Sequence, residues 1–200
     1  MENTMKMSME NINHTEVQRS ETLISGSLAS VLKVRLPFLI IALIGGLLAA
    51  VVIDSFEEIL EEIVFVAIFI PVIMDMGGNI GAQASTAFAR GLALGHIEIK
   101  SFGKHLLHEL FQGLSMGVLL GIAAGLLAHV WHGEAGLGLA VGLALTITMT
   151  LASFLGFFVP YVLYKFKLDQ VAGSSPIITT IKDISGLLIY FFLVSQFVGL

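Results

Sequence analysis

From about residue 36 to residue 200 the chain is a succession of apolar runs, most about 20 residues or longer, broken by short polar linkers. A bilayer core about 30 Å thick needs roughly 20 apolar residues in a helix to cross it. In lipid every backbone N–H and C=O must be paired internally, so runs of this length and pattern must be helices. With 56% hydrophobic and 12% charged residues and a mean hydropathy of +0.93, the composition excludes a soluble globular domain. The expected fold is all-α: a polytopic membrane protein with five transmembrane helices at about 36–54, 63–89, 106–130, 136–164 and 177–199. Residues 1–35 are expected to be a cytoplasmic N-terminal tail, mostly mobile, with a short surface helix within 21–33. That tail has neither the basic start nor the short apolar core of a signal peptide. Residues 36–200 then form one five-helix ion-transport domain with no room for a second globular unit. Cysteine is absent, so there is no disulfide framework and no thiolate metal site.

The charges are distributed by side. Five spans put the two termini on opposite sides of the bilayer. With the N-terminus inside, all ten basic residues lie on or near the cytoplasmic side: Lys6, Arg19, Lys33, Arg35, Arg90, Lys100, Lys104, Lys165, Lys167 and Lys182. The outer segments hold Asp54, Glu57, Glu58, Glu61, Glu62 and Glu134. This asymmetry predicts N-in, C-out topology in the cell membrane as a multi-pass protein. The partner it implies is the lipid bilayer, and no nucleic acid.

Asp183 is the costly residue. It lies in the run Thr179-Thr180-Ile181-Lys182-Asp183-Ile184-Ser185-Gly186 of the fifth span, and a carboxylate within a span faces a partner, a cavity or an ion path. The second span reads Ile70-Pro71-Val72-Ile73-Met74-Asp75-Met76-Gly77-Gly78-Asn79-Ile80-Gly81-Ala82-Gln83. Pro71 removes a donor and Gly77-Gly78 loosen the helix, so a kink or partial break is expected there. Asp75, Asn79 and Gln83 recur every four residues and share a face. At about 1.5 Å rise per residue, Asp75 and Asn79 lie roughly 18 and 24 Å from the outer edge, and Asp183 roughly 21 Å. Thr179, Thr180, Asp183 and Gly186 lie on one stripe of the fifth helix. Two oxygen-bearing stripes at one depth predict a path for a hard cation. The competing reading of Asp183 is an ion pair with Lys182 or a neighbouring helix, and that of Gly77-Gly78 is close helix packing.

Other features read more plainly. Gly113, Gly117, Gly121 and Gly125 form a small-residue ridge on the third span, matched by Gly138 and Gly142 on the fourth, and both suit helix packing. His105, His108 and Glu109 have the spacing of a transition-metal site, yet not the order of a zinc protease, and interfacial polar residues are the commoner case. The outer Glu57-Glu58 and Glu61-Glu62 pairs suit either a helix cap or a cation-concentrating mouth.

At these motifs the chain resembles the MgtE family of magnesium channels and transporters and, more distantly, the animal solute carriers related to it. The resemblance is carried by Pro71 to Thr86, by Arg90-Gly91-Leu92-Ala93-Leu94-Gly95 and by Thr179 to Tyr190. It implies a homodimer with five spans per subunit and an ion path at the dimer interface, lined by the second and fifth helices. Asp183 matches the family's central pore carboxylate, and Asn79 the asparagine of its Gly-Gly-Asn motif. Family members usually carry cytoplasmic domains that sense magnesium, whereas about 35 residues precede the first span here. Gating is therefore expected to differ, with a separate cytoplasmic regulatory protein as one route. Asp75 and Lys182 are charges the family pattern does not supply.

The function expected is a channel or transporter for a divalent cation, Mg²⁺ first, and not an enzyme. The metal-binding residues are Asp183, Asn79, Asp75, Thr179 and Thr180. Pro71, Gly77, Gly78, Gln83 and Gly186 are expected to line the pore or act as hinges. The alternatives are a Na⁺- or H⁺-coupled Mg²⁺ exchanger on the same scaffold and, less favoured, an intramembrane metal-dependent enzyme built on the His-Glu cluster.

Overall fold

The computed structural model describes residues 21–168 and 170–199, apart from the side chains of Val171 and Ala172. Residues 1–20 of the expected tail lie outside these. Five helices are long and apolar enough to cross a membrane: Leu28–Asp54, Phe65–Ala93, Ile99–His132, Ala135–Lys165 and Gly173–Gly199. These are the first to fifth spans below.

The number of spans is as the sequence predicts, and the ends differ in informative ways. Residues 21–25 are helical, and Ser27 then caps the next helix by accepting a hydrogen bond from the Ser30 amide. That helix starts at Leu28 and passes through Pro37 into the first span without a break. Residues 28–35, read as tail, thus belong to the span. The fifth helix begins at Gln170 and runs through Pro176, giving up the one backbone hydrogen bond that the missing N–H would make. The second span is one continuous α-helix through Pro71 and Gly77-Gly78, so the partial break expected there does not occur.

The fourth span is the axis of the bundle. It packs against the third, second and fifth spans and carries the longest set of buried residues, from Leu137 to Leu163. Its contact with the third span is antiparallel and set by small residues. A Cβ built on Gly121 would lie 2.5 Å from the Gly142 carbonyl oxygen, and one on Gly125 2.6 Å from that of Gly138. Such approach lets Thr146 Oγ1 donate across the interface to the Gly117 carbonyl at 3.0 Å. Lipid offers no hydrophobic drive between helices, so close packing and interhelical hydrogen bonds of this kind must hold them. The ridge of glycines is therefore packing, as its spacing suggested.

The first span is peripheral. Only Gly45 and Ala49 are buried on it, and it leans on the fifth span, with Thr180 seated over Gly45. Between the first and second spans a short helix, Glu57–Glu62, turns its four glutamates outward. Its preceding Phe56 stacks on Phe191 of the fifth span at 4.7 Å.

Two glycine substitutions should therefore diverge. Gly121→Ala meets backbone and should destabilise the purified protein by about 1–3 kcal/mol. Gly46→Ala meets nothing within 4 Å; with the better helix former it should leave stability unchanged or raised by up to about 1 kcal/mol. Thermal unfolding in detergent measures both.

Candidate functional site

The second and fifth spans cross antiparallel, and their contact is built from the bottom of each helix face. Ile73 and Gly77 of the second span meet Gly186 and Lys182 of the fifth, and Gly81 meets Ile178. Tyr190, fully buried, donates its hydroxyl to the Val66 carbonyl at 2.9 Å and ties the acidic ends of the two helices together.

Lys182 lies at the middle of this contact. Its side chain is 5% exposed, and Nζ is 2.5 Å from Asp183 Oδ1. Nζ also donates to the Met74 carbonyl of the second span at 2.5 Å. Adjacent residues on a helix point about 100° apart; the four-carbon stem of lysine is long enough to curl across that angle. The stem passes over Gly77 and Gly78, where added Cβ atoms would lie 3.4 Å from Cδ and 3.3 Å from Nζ. The paired glycines thus give Lys182 its room. The ion pair weighed as the competing reading of Asp183 is present. Asp183 is nevertheless 13% exposed, and its Oδ1 takes no further hydrogen bond among the described residues.

The other predicted site residues separate into groups. Asp75 and Asn79 are exposed on the second span, and the Asn79 amide donates to Asp75 Oδ2 at 3.0 Å. Gln83 continues the same exposed face, and Pro71 begins it. Because Lys182 touches Met74, Gly77 and Gly78, Asp183 lies level with the stretch between Asp75 and Asn79. Thr179 lines a cleft of about 300 Å³ at the basic ends of the second and fifth spans, with Gly78, Ser85, Thr86, Arg90 and Gln170. Thr180 turns away from this contact toward Gly45 of the first span, so Thr179 and Thr180 do not act from one side. Gly186 packs against Thr148 and Ile73.

The His-Glu cluster is engaged otherwise. Glu109 Oε1 accepts from Ser153 Oγ at 2.7 Å, and His108 Nε2 is 2.9 Å from the Gln112 amide. Among the described residues no three His, Asp or Glu side chains converge as a metal site.

Two residues escaped the sequence reading. Thr148 sits where the second, fourth and fifth spans meet, its methyl against Gly77 and Gly186. Ser153 joins the third and fourth spans through Glu109. The signal was a hydroxyl in the middle of an apolar helix, which is cheap enough in a span to pass as neutral.

A family model described as a divalent cation transporter, MgtE, matches residues 70–193. The chain belongs to the MgtE family. It is 33% identical over 164 residues to the magnesium transporter MgtE of Bacillus subtilis, a match covering 82% of this chain and 36% of that protein. The magnesium transporters MgtE of Enterococcus faecalis and Thermus thermophilus are 33% and 31% identical over 163 and 157 residues, covering 82% and 78% of this chain. The chain spans about a third of the length of these relatives. The family match runs from Ile70 to Leu193 and so includes both halves of the second–fifth contact. With five spans and this family, the chain is a multi-pass membrane protein.

Tyr190→Phe removes a hydrogen bond that joins the acidic ends of the two site helices. It should lower stability by about 1 kcal/mol, seen as a fall in the detergent melting temperature with the helical circular dichroism preserved.

Proposed function

We propose that the chain carries a divalent cation, Mg²⁺ before others, across the membrane along a path between two copies of itself. The second and fifth spans would line that path, and Asp183 would be its central carboxylate. One observation carries the reading: Asp75, Asn79, Gln83, Thr86 and Arg90 form an exposed polar stripe along a helix that must cross a bilayer. Polar side chains facing hydrocarbon are expensive, and a second copy that presents the same stripe across a two-fold axis would shelter both behind water rather than lipid. Such an interface is isologous, so the stripe of one copy would face the same stripe of the other, and only residues beside the axis would meet their twins. The names of the three relatives support magnesium as the cargo.

Mg²⁺ keeps its water and prefers octahedral oxygen with few carboxylates. Two Asp183 carboxylates across the axis, with Asn79 and Asp75 of each second span near the same depth, would hold a hydrated ion through its waters. The cleft lined by Thr179, Thr86 and Arg90 would be its inner vestibule. Coupled exchange with Na⁺ or H⁺ uses the same site, and the Lys182–Asp183 pair is the observation that favours it: the carboxylate already has a cation partner.

Liposomes holding the purified chain and an internal Mg²⁺ indicator test this directly. Wild type should admit Mg²⁺, and Asp183→Ala should reduce entry to the level of empty vesicles. Uptake that needs an opposing Na⁺ or H⁺ gradient would assign coupled exchange, whereas equal uptake by the Ala variant would remove Asp183 from the path. The dimer has its own test, since the chain has no native cysteine. Ala82→Cys, on the exposed stripe, should form an oxidative cross-link between copies in the membrane. Leu119→Cys, on the exposed face of the third span, should not.

A further inference from the structure

Lys182 is the only buried charged side chain among the described residues. A buried ion pair seldom adds net stability over apolar side chains of the same volume. Its place beside the proposed ion site calls for another role. We propose that Lys182 is a resident counter-ion: its ammonium occupies the cation position of Asp183 between transport events, and a divalent cation enters there by displacing it. This rests on the reading of Asp183 as the ion-binding carboxylate.

The geometry supports it in three ways. Nζ lies 2.5 Å from Asp183 Oδ1, a buried oxygen with no other partner among the described residues, so the ammonium holds a position that a cation on this oxygen would take. The ammonium is shared with the Met74 carbonyl of the opposing helix, so its departure also frees an oxygen on the second span. Gly77 and Gly78 keep side chains away from the stem on the second-span side, since added Cβ atoms there would lie 3.4 Å from Cδ and 3.3 Å from Nζ.

The charge balance gives the device a purpose. Across a dimer axis the two Lys182 ammoniums cancel the two Asp183 carboxylates and leave only the Asp75 charges. Two bare carboxylates would hold a dication firmly and release it slowly, whereas conduction needs binding weak enough to leave. A tethered ammonium returning to Asp183 would help expel the ion. Lys182 acts through Asp183 and is a positioning residue rather than a ligand.

The test is the Mg²⁺ dependence of liposome uptake, together with Mg²⁺-induced thermal stabilisation, for wild type, Lys182→Met, Lys182→Gln and Lys182→Arg. A neighbouring charge shifts the cation affinity of a carboxylate by about 10- to 1000-fold. The half-saturating Mg²⁺ concentration should therefore fall at least about tenfold in Lys182→Met, with a lower maximal rate, and stay near wild type in Lys182→Arg. Lys182→Gln keeps a donor for Met74 without the charge and should follow Lys182→Met, which serves if the Met protein does not fold. Unchanged half-saturation in the folded neutral variants, with transport intact, would overturn the proposal and leave a structural ion pair. A folded wild type that neither carries nor is stabilised by Mg²⁺ would refute the transport reading itself, and this one with it.

Discussion

Everything in the middle of this bundle is arranged around one ammonium group held between two helices. Lys182 leaves the fifth span, passes over two glycines of the second, and ends between its own neighbour's carboxylate and the Met74 carbonyl. In hydrocarbon neither charge could stand alone, so each depends on the other and on the closeness of the second span. That closeness has a cause in sequence: a Cβ at position 77 would lie 3.2 Å from the Thr148 methyl, and one at position 78 would lie 3.3 Å from the lysine Nζ.

The rest of the fold provides that approach. The fourth span backs the pair with Thr148, and it is itself clamped to the third span by facing glycines. Tyr190 fixes the second and fifth helices at the acidic end, while Gly81 and Ile178 meet toward the basic end. Close backbone contact and shared hydrogen bonds take the part that burial from water plays in a soluble core. The result is a closely packed inner seam with an exposed polar stripe beside it.

Much of this was legible because the bilayer limits the options. Long apolar runs could only be helices, and the charges at their ends ordered them. The depth comparison placed residue 183 between 75 and 79, and the contacts of Lys182 with Met74 and Gly78 agree with it. Three things were not legible. Helical spacing put Thr180 on the same stripe as Thr179, yet a stripe about 100° wide reaches two neighbours, and Gly45 decides the matter by leaving a notch for Thr180. The Lys182–Asp183 pair stood only as the competing reading of Asp183, because adjacent helix positions point about 100° apart, an angle the lysine stem spans. Pro71 and Gly77-Gly78 suggested a broken helix, but the contacts of Gly77 with Thr148 and Lys182 help offset a propensity cost of about 1 kcal/mol for each glycine, and the helix also runs on through Pro71.

The central claim is that the Asp183 carboxylates of two copies face one another across a hydrated path. An experimental structure of the dimer in lipid nanodiscs, with Mn²⁺ as a heavier stand-in for Mg²⁺, tests it most directly. The account predicts metal density on the two-fold axis between the two Asp183 side chains, with the second-span stripes on either side. Second spans turned to lipid, with Asp183 of each copy remote from the other and from any metal, would contradict it.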